Sequence, residues 1–183
     1  MKTLFINAAF REGSRTQRIA QALLEQCSGE ITQVDLATLE VLPLNGERLK
    51  IYNEAVAAHR FDHPMFDFAK QFVEAEEIVI AAPFWNYSIP AVLHSYLELV
   101  CTQGISFDIS PEGAYFSLCR AKKLVYLTTA GGFIPEEDHA FGYIKSLAEV
   151  FWRIPDVRQI KAEGLDVWGT DVEAELQKAI ANL

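Results

Sequence analysis

The sequence predicts a doubly wound α/β domain, in which helices cover both faces of a five-stranded parallel sheet. Short apolar segments alternate with amphipathic segments along the whole chain, which is typical of this architecture. The chain has 183 residues and is 50% hydrophobic, which is enough to bury one sizeable core. The simplest arrangement places the strands in the order 2-1-3-4-5 within a single domain, residues 1–183.

The five predicted strands carry two kinds of pattern. Most are nearly continuous apolar runs, as expected for strands covered on both faces, whereas the second alternates between apolar and polar residues. They are Lys2–Asn7, Ile31–Leu36, Ile78–Ala82, Leu124–Thr129 and a last strand within Gln159–Trp168.

Six helices are predicted between and after these strands. Ser14 opens the first, which keeps a 3.6-residue apolar period as far as Cys27. The third, Asp62–Ala75, has Asp62 as its N-cap and Pro64 in its first turn. The last begins at a capping box, Thr170-Asp171-Val172-Glu173, and reaches Leu183. The other three are Gly46–Ala58, Ile89–Val100 and Asp138–Trp152, and a loop is predicted over Thr102–Cys119.

The composition argues against several classes of protein. The net charge is −9 and the Lys and Arg residues are scattered, whereas proteins that bind nucleic acid usually carry a basic patch. No apolar run approaches the roughly 18 residues that span a membrane, and no signal peptide is recognisable, so we expect a cytoplasmic protein. The 3 cysteines form no CxxC pair and the histidines show no metal-ligand spacing, so we expect neither a disulfide framework nor a metal site.

In such a sheet, ligands bind beyond the carboxyl ends of the strands, where the strand order reverses. The loops after strands 1, 3 and 4 should therefore meet. The first loop enters a helix at Ser14-Arg15-Thr16, where free N–H groups, two hydroxyls and the charge of Arg15 or Arg18 suit a phosphate. The segment Ser14–Gln17 also fits a plain helix cap, and both interpretations stay open.

The loop after strand 3 is Pro83-Phe84-Trp85-Asn86-Tyr87-Ser88-Ile89-Pro90. Prolines stiffen both of its ends, and its aromatic rings and single amide side chain suit a flat heteroaromatic ligand. The alternative is a hydrophobic corner of the core with Asn86 in a turn. The loop after strand 4, Thr128-Thr129-Ala130-Gly131-Gly132, has two glycines that let backbone amides approach a ligand closely.

The segment Ile78–Ile89 closely resembles the flavin-ring segment of FMN-dependent NADH azoreductases, which belong with the NAD(P)H:quinone oxidoreductases of flavodoxin-like fold. The resemblance covers nearly the whole chain. It includes Ser14-Arg15-Thr16, Gly104-Ile105-Ser106-Phe107, Pro111-Glu112-Gly113, Lys122-Lys123, Thr129-Ala130-Gly131-Gly132 and Ala162-Glu163-Gly164.

The resemblance implies a homodimeric enzyme that holds FMN non-covalently and whose partner chain helps to wall the substrate pocket. NADH or NADPH would give a hydride to flavin N5, and a quinone, azo compound or similar small aromatic acceptor would then take it, by a ping-pong mechanism. No side chain need act as nucleophile or base, since the flavin carries the chemistry. The implied cofactor-binding residues are Ser14, Arg15 and Thr16 at the phosphate, Pro83, Phe84, Trp85, Asn86 and Tyr87 along the ring, and Thr129, Ala130, Gly131 and Gly132 at its pyrimidine edge.

Three residues depart from the family pattern. Ala9 stands where a serine is frequent near the phosphate, Ala130 replaces an arginine, and Ile134 stands where azoreductases commonly carry a histidine. The last two positions lie where the substrate and the flavin edge would be.

Two other functions compete with this interpretation. A flavodoxin-like electron-transfer or regulatory flavoprotein, without nicotinamide turnover, would share the fold and the acidity. Its phosphate loop is typically richer in hydroxyls than Ala8-Ala9-Phe10. A hydrolase-like α/β domain is less well supported, because the sequence contains no GxSxG elbow.

Overall fold

The computed structural model describes residues 1–183 and contains one five-stranded parallel sheet and one two-stranded hairpin. In chain order the strands are β1 (Lys2–Asn7), β2 (Glu30–Asp35), β3 (Glu77–Ala81), β4 (Phe107–Ile109), β5 (Tyr115–Ser117), β6 (Lys123–Thr129) and β7 (Asp156–Ala162). The parallel sheet has the order β2-β1-β3-β6-β7. Since β6 and β7 are its fourth and fifth strands, the predicted order 2-1-3-4-5 is confirmed.

Helices cover both faces of this sheet. They are α1 (Arg15–Leu24), α2 (Gly46–Ala58), α3 (Asp67–Glu74), α4 (Ala91–Val100), α5 (Phe141–Val150) and α6 (Val172–Ile180). The central strand β3 is buried along its whole length, with Ile78 and Ile80 on the face of α3, α4 and α5, and Val79 and Ala81 on the face of α1 and α6. The apolar run that predicted this strand therefore contributes to two separate cores.

The predicted start of the third helix is wrong in two respects. The N-cap lies one residue later than predicted, and the first turn is a 3-10 turn. The N-cap is His63, whose Nδ1 accepts a hydrogen bond from the N–H of Met65 at 3.1 Å, and not Asp62. A 3-10 turn over Pro64–Phe66 follows, and α3 begins at Asp67. Proline has no N–H to satisfy and favours the first helical position, so the residue directly before it becomes the cap.

The last two helices also begin later than predicted. Asp138 lies in a turn before α5, where its carboxylate accepts hydrogen bonds from the N–H groups of Ala140 and Phe141. Asp171, and not Thr170, caps α6 by accepting from the N–H of Ala174, so the predicted capping box does not form. This helix ends at Ile180 and does not reach Leu183.

Other boundaries also differ from the prediction, since α4 begins at Ala91 and not at Ile89, and α5 ends at Val150 and not at Trp152. The predicted loop Thr102–Cys119 contains the antiparallel hairpin β4–β5, whose strands are only 3 residues long and too short to give a periodic pattern. The last strand of the sheet begins at Asp156 and ends at Ala162, because it includes polar residues that the exposed edge of the sheet tolerates.

No helix of this chain is both long enough and apolar enough to cross a membrane.

A buried ion pair lies at the amino end of the sheet. The Glu77 side chain is 4% exposed, and its Oε1 lies 2.7 Å from Lys123 Nζ on the neighbouring strand. The hydroxyl of Thr3 donates to Oε2 of the same carboxylate at 3.4 Å. This pair therefore connects β1, β3 and β6 at the end of the sheet opposite to the loops described below.

Candidate functional site

The three loops singled out in the sequence meet in one cavity at the carboxyl end of the sheet. The cavity is lined by Ala9, Phe10, Arg11, Ser14, Arg15, Thr16, Pro83, Phe84, Trp85, Thr129, Ala130, Gly131 and Asp166. Nine of the twelve predicted cofactor-binding residues are among them, whereas Asn86, Tyr87 and Gly132 are not. The cavity lies where the strand order reverses, between β1 and β3, as expected for this topology.

The first loop ends in a capped helix start. Ser14 is the N-cap of α1, and its Oγ accepts from the N–H of Gln17 at 3.4 Å, so the helix-cap interpretation is correct. The next two N–H groups, of Arg15 and Thr16, have no intrahelical carbonyl to reach. The Thr16 hydroxyl lies 2.7 Å from that of Thr129, in a buried contact that joins α1 to the end of β6. Capping and anion binding are thus compatible here, because the cap uses only one of the free N–H groups.

The second loop folds into a tight two-residue turn. Trp85 and Ser88 exchange backbone hydrogen bonds of 2.9 and 2.8 Å, and the residues between them, Asn86 and Tyr87, have φ angles of 51° and 65°. Left-handed φ at both central positions is the pattern of a type I′ turn. The N–H of Phe84 donates to the carbonyl of Thr129 at 3.0 Å, which fixes the base of the turn against β6.

A serine and two histidines fix the far side of this turn. The Ser88 hydroxyl donates to the carbonyl of His139 at 3.2 Å, and the His139 N–H donates to the carbonyl of Tyr87 at 3.1 Å. Because that hydroxyl has only one hydrogen, its oxygen accepts from His94 Nε2 at 3.0 Å. Burial lowers the pKa of His94 and so favours the neutral ring, for which this contact places the proton on Nε2. The turn is thereby connected to α4 and to the segment before α5.

Replacing Tyr87 with glycine should raise the free energy of unfolding of the cofactor-free protein by up to about 1 kcal/mol. Tyr87 is 64% exposed, so little packing is lost, and glycine adopts positive φ without steric strain. The measurement is urea unfolding followed by circular dichroism. Tyr87→Ala is the matched control, since it removes the same ring but keeps the Cβ. Equal stability of the two variants would contradict a contribution from backbone strain.

The third loop is paired with a segment that the sequence analysis did not include in the site. Gly164, Leu165 and Asp166 follow β7 and donate backbone hydrogen bonds to the carbonyls of the loop, with Asp166 N reaching Gly131 O at 2.8 Å. The N–H groups of Gly131 and Gly132 donate to no other backbone group and to no side chain, so both are free to meet a ligand. The close approach predicted from these glycines is therefore geometrically available at Gly131, which lines the cavity.

Asp166 is the one lining residue with a carboxylate. Its Oδ1 lies 2.7 Å from Nη1 of Arg15, the first residue of α1. A Cβ added to Gly131 would collide with the Asp166 carboxylate in its observed position, so that side chain would have to move. Sequence reasoning missed Asp166, because an acid is unexpected beside a predicted phosphate site, although Ala162-Glu163-Gly164 just before it carries part of the resemblance.

The three departures from the family pattern are all buried, but only two of them line the cavity. Ala9 and Ala130 are buried and line the cavity with methyl groups, where a hydroxyl and a guanidinium would otherwise be expected. Ile134 is also buried but does not line the cavity, and its N–H donates to Glu163 Oε2 at 2.8 Å. The cavity is thus more apolar at these two positions than the resemblance implies.

The residues present fit a flavin mononucleotide. The start of α1 offers free N–H groups and the Arg15 guanidinium to an anionic group, the turn after β3 offers aromatic side chains, and the loop after β6 offers free N–H groups to polar ring atoms. No group of three or more His, Cys, Asp or Glu side chains is placed to share a metal ion.

Comparison with known proteins agrees with this geometry. A family model described as flavodoxin-like fold matches residues 1–183. The FMN-dependent NADH:quinone oxidoreductase 2 of Clostridium acetobutylicum is 37% identical over 191 residues, an alignment that covers 98% of this chain and 94% of the relative. The FMN-dependent NADH:quinone oxidoreductase of Clostridium beijerinckii is 36% identical with the same coverage.

A solved structure shares the fold at lower sequence identity. The FMN-dependent NADH-azoreductase from Bacillus anthracis in complex with FMN is 22% identical, with a TM-score of 0.82 over 100% of this chain and 95% of that chain. The sequence match to the family model, the relatives aligned over nearly their whole length and the observed strand order agree. The chain therefore belongs to the flavodoxin-like family that includes the FMN-dependent NADH:quinone oxidoreductases.

Proposed function

We propose that this chain is an FMN-dependent oxidoreductase that transfers a hydride from NADH or NADPH to a quinone, an azo compound or a similar small aromatic acceptor. The observation that carries the proposal is the meeting of a free helix start and an aromatic turn in one cavity at the switch point of the sheet. The names of the relatives support NADH as the reductant and a quinone as the acceptor.

The side chains and amides of the chain would bind and orient the cofactor. The N–H groups that begin α1, the Thr16 hydroxyl and the Arg15 guanidinium would hold the phosphate. Phe84 and Trp85 would contact the isoalloxazine, with Asn86 and Tyr87 on the same turn. The free N–H groups of Gly131 and Gly132 would stabilise negative charge at the pyrimidine edge, as an oxyanion hole does. When bound, FMN supplies the group that accepts the hydride and passes it on, in two half-reactions at one place.

We also propose that the protein is a homodimer whose second chain covers the carboxyl end of the sheet, where the cavity lies. Aromatic side chains are exposed on the loops after β1, β3, β6 and β7, at the same end of the sheet as the cavity, with Phe133 at 73% and Trp168 at 99%. Phe10, Trp85 and Tyr87 extend the same rim. Exposed apolar patches of this kind usually mark an interaction site. Light scattering coupled to size-exclusion chromatography should give twice the mass of the 20.6 kDa chain.

The cytoplasmic location stays a prediction.

The first test is whether purified protein, supplied with FMN, binds it and is reduced by NADH. We expect one FMN per chain and loss of the visible flavin absorbance when excess NADH or NADPH is added without oxygen. Turnover with a quinone should give parallel double-reciprocal plots, as a ping-pong mechanism requires. Photoreduction serves as the control that the bound flavin can be reduced at all.

The outcome also separates the two flavoprotein functions. A bound flavin that photoreduces but does not respond to either nicotinamide would contradict the oxidoreductase proposal and favour an electron-transfer or regulatory flavoprotein. Failure to bind FMN would contradict both. The names of the relatives make quinones the acceptors for the first assay.

A further inference from the structure

The carboxylate of Asp166 is held in the cavity by constraints on both its backbone and its side chain. Its N–H donates to Gly131 O at 2.8 Å, and the preceding Leu165 donates to Ala130 O at 3.2 Å, so the backbone is fixed alongside the third loop. The side chain then extends over Gly131, where a Cβ would collide with it in this position, and its Oδ1 pairs with Arg15. Two backbone hydrogen bonds therefore fix the main chain at Asp166, and the pair with Arg15 places its carboxylate.

The side chain ends on the arginine that begins α1. Arg15 begins α1, lines the cavity and lies 2.7 Å from Asp166 Oδ1, and its side chain is the less exposed of the two, at 28% against 69%. A phosphate at the helix start can use this guanidinium only by sharing it with the carboxylate or by displacing the carboxylate from it. A phosphate monoester carries a charge of about −1.5 to −2 at pH 7, so it is also repelled by Asp166.

We propose that Asp166 is a specificity-determining residue of the cofactor cavity, whose carboxylate competes with the FMN phosphate for Arg15. The proposal rests on the proposed function. Its consequence is a reduced preference for FMN over riboflavin, which has the same ring and ribityl chain but no phosphate. Removal of the charge at position 166 should therefore strengthen the binding of the phosphorylated ligand and leave the unphosphorylated one unchanged.

The test compares dissociation constants for FMN and riboflavin, measured by quenching of flavin fluorescence, in the wild type and in Asp166→Asn. We expect FMN to bind about tenfold more tightly to the variant, as a screened Coulomb interaction over a few ångströms allows, and riboflavin to change less than about twofold. Since salt screens the repulsion, the gain for FMN should shrink at high ionic strength.

The matched control is Glu173→Gln. Glu173 pairs with Arg18 at 2.8 Å, three residues further along the same helix, and does not line the cavity. The Glu173→Gln variant removes the same unit of charge from an ion pair with an arginine of α1, so it should change neither the FMN nor the riboflavin dissociation constant. Asp166→Ser is a second variant without the charge, and thermal melting of each variant reports whether it is folded.

Three results would overturn the inference. An unchanged ratio of FMN to riboflavin affinity in both position-166 variants would show that the carboxylate does not compete. Weaker FMN binding would show that it positions Arg15 for the phosphate instead. An equal gain in Glu173→Gln would assign the effect to net charge. In each case the wild type still binds FMN, whereas a wild type that binds neither flavin contradicts the proposed function itself.

Discussion

Replacing Trp152 with alanine is expected to lower the free energy of unfolding by about 3–5 kcal/mol. The indole follows α5, is 1% exposed and packs against Phe72 of α3, with ring centroids 4.5 Å apart. It is among the largest fully buried side chains in the chain, and the surrounding helices cannot collapse into the space that it would leave. Urea unfolding of the cofactor-free protein, followed by circular dichroism, measures the loss.

Trp168→Ala is the matched control for this prediction. Trp168 is 99% exposed and therefore contributes nothing to the packing of a single chain, so at protein concentrations low enough to keep the chain monomeric the variant should lie within about 0.5 kcal/mol of the wild type. A loss at Trp152 below about 1 kcal/mol would contradict the tight packing described for this core. A loss at Trp168 that depends on protein concentration would instead indicate that a second chain covers it.

The second large effect is expected from Lys123→Met. This change leaves the Glu77 carboxylate buried at the amino end of the sheet without its partner 2.7 Å away, which should lower the free energy of unfolding by about 2–3 kcal/mol. The value lies below the range for fully buried pairs because the lysine side chain is 36% exposed. The same unfolding measurement applies.

Two further variants separate the unpaired charge from the loss of a lysine. Lys122→Met removes an exposed lysine next in sequence and should change the stability by less than about 0.5 kcal/mol. The double variant Glu77→Gln with Lys123→Met leaves no buried charge and should regain much of the loss. If the double variant is no more stable than Lys123→Met alone, burial of the unpaired carboxylate is not the cause. None of these changes should affect FMN binding, because the pair lies at the opposite end of the sheet.

The sheet and its order could be predicted because burial on both faces leaves a direct trace in the sequence. β3 and β6 lie in the middle of the sheet, and their apolar runs were located to within one residue of each end. The helix Gly46–Ala58 was also predicted correctly at both ends. Errors concentrated where local signals compete, as at Asp62 and His63, where two polar residues before Pro64 could each serve as the cap.

The site was predicted in part for the same reason. The switch-point rule placed three loops together without any knowledge of their side-chain contacts. Asp166 could not be found in this way, because its role depends on Arg15 and Gly131, which lie far away along the chain and meet it only after β6 and β7 have paired. The hairpin β4–β5 was missed because strands of 3 residues carry no period.

The contact between Thr16 and Thr129 has a consequence for proton placement. The two hydroxyl oxygens lie 2.7 Å apart, and each carries one hydrogen. Only one of these hydrogens can lie on the line that joins the oxygens. One threonine therefore keeps a spare O–H, beside a cavity that both residues line. An anion at the start of α1 would orient that O–H toward itself and so fix which threonine donates to the other. The direction of the hydrogen bond between the two threonines would thus reverse by rotation of the two hydroxyls, without any movement of the backbone.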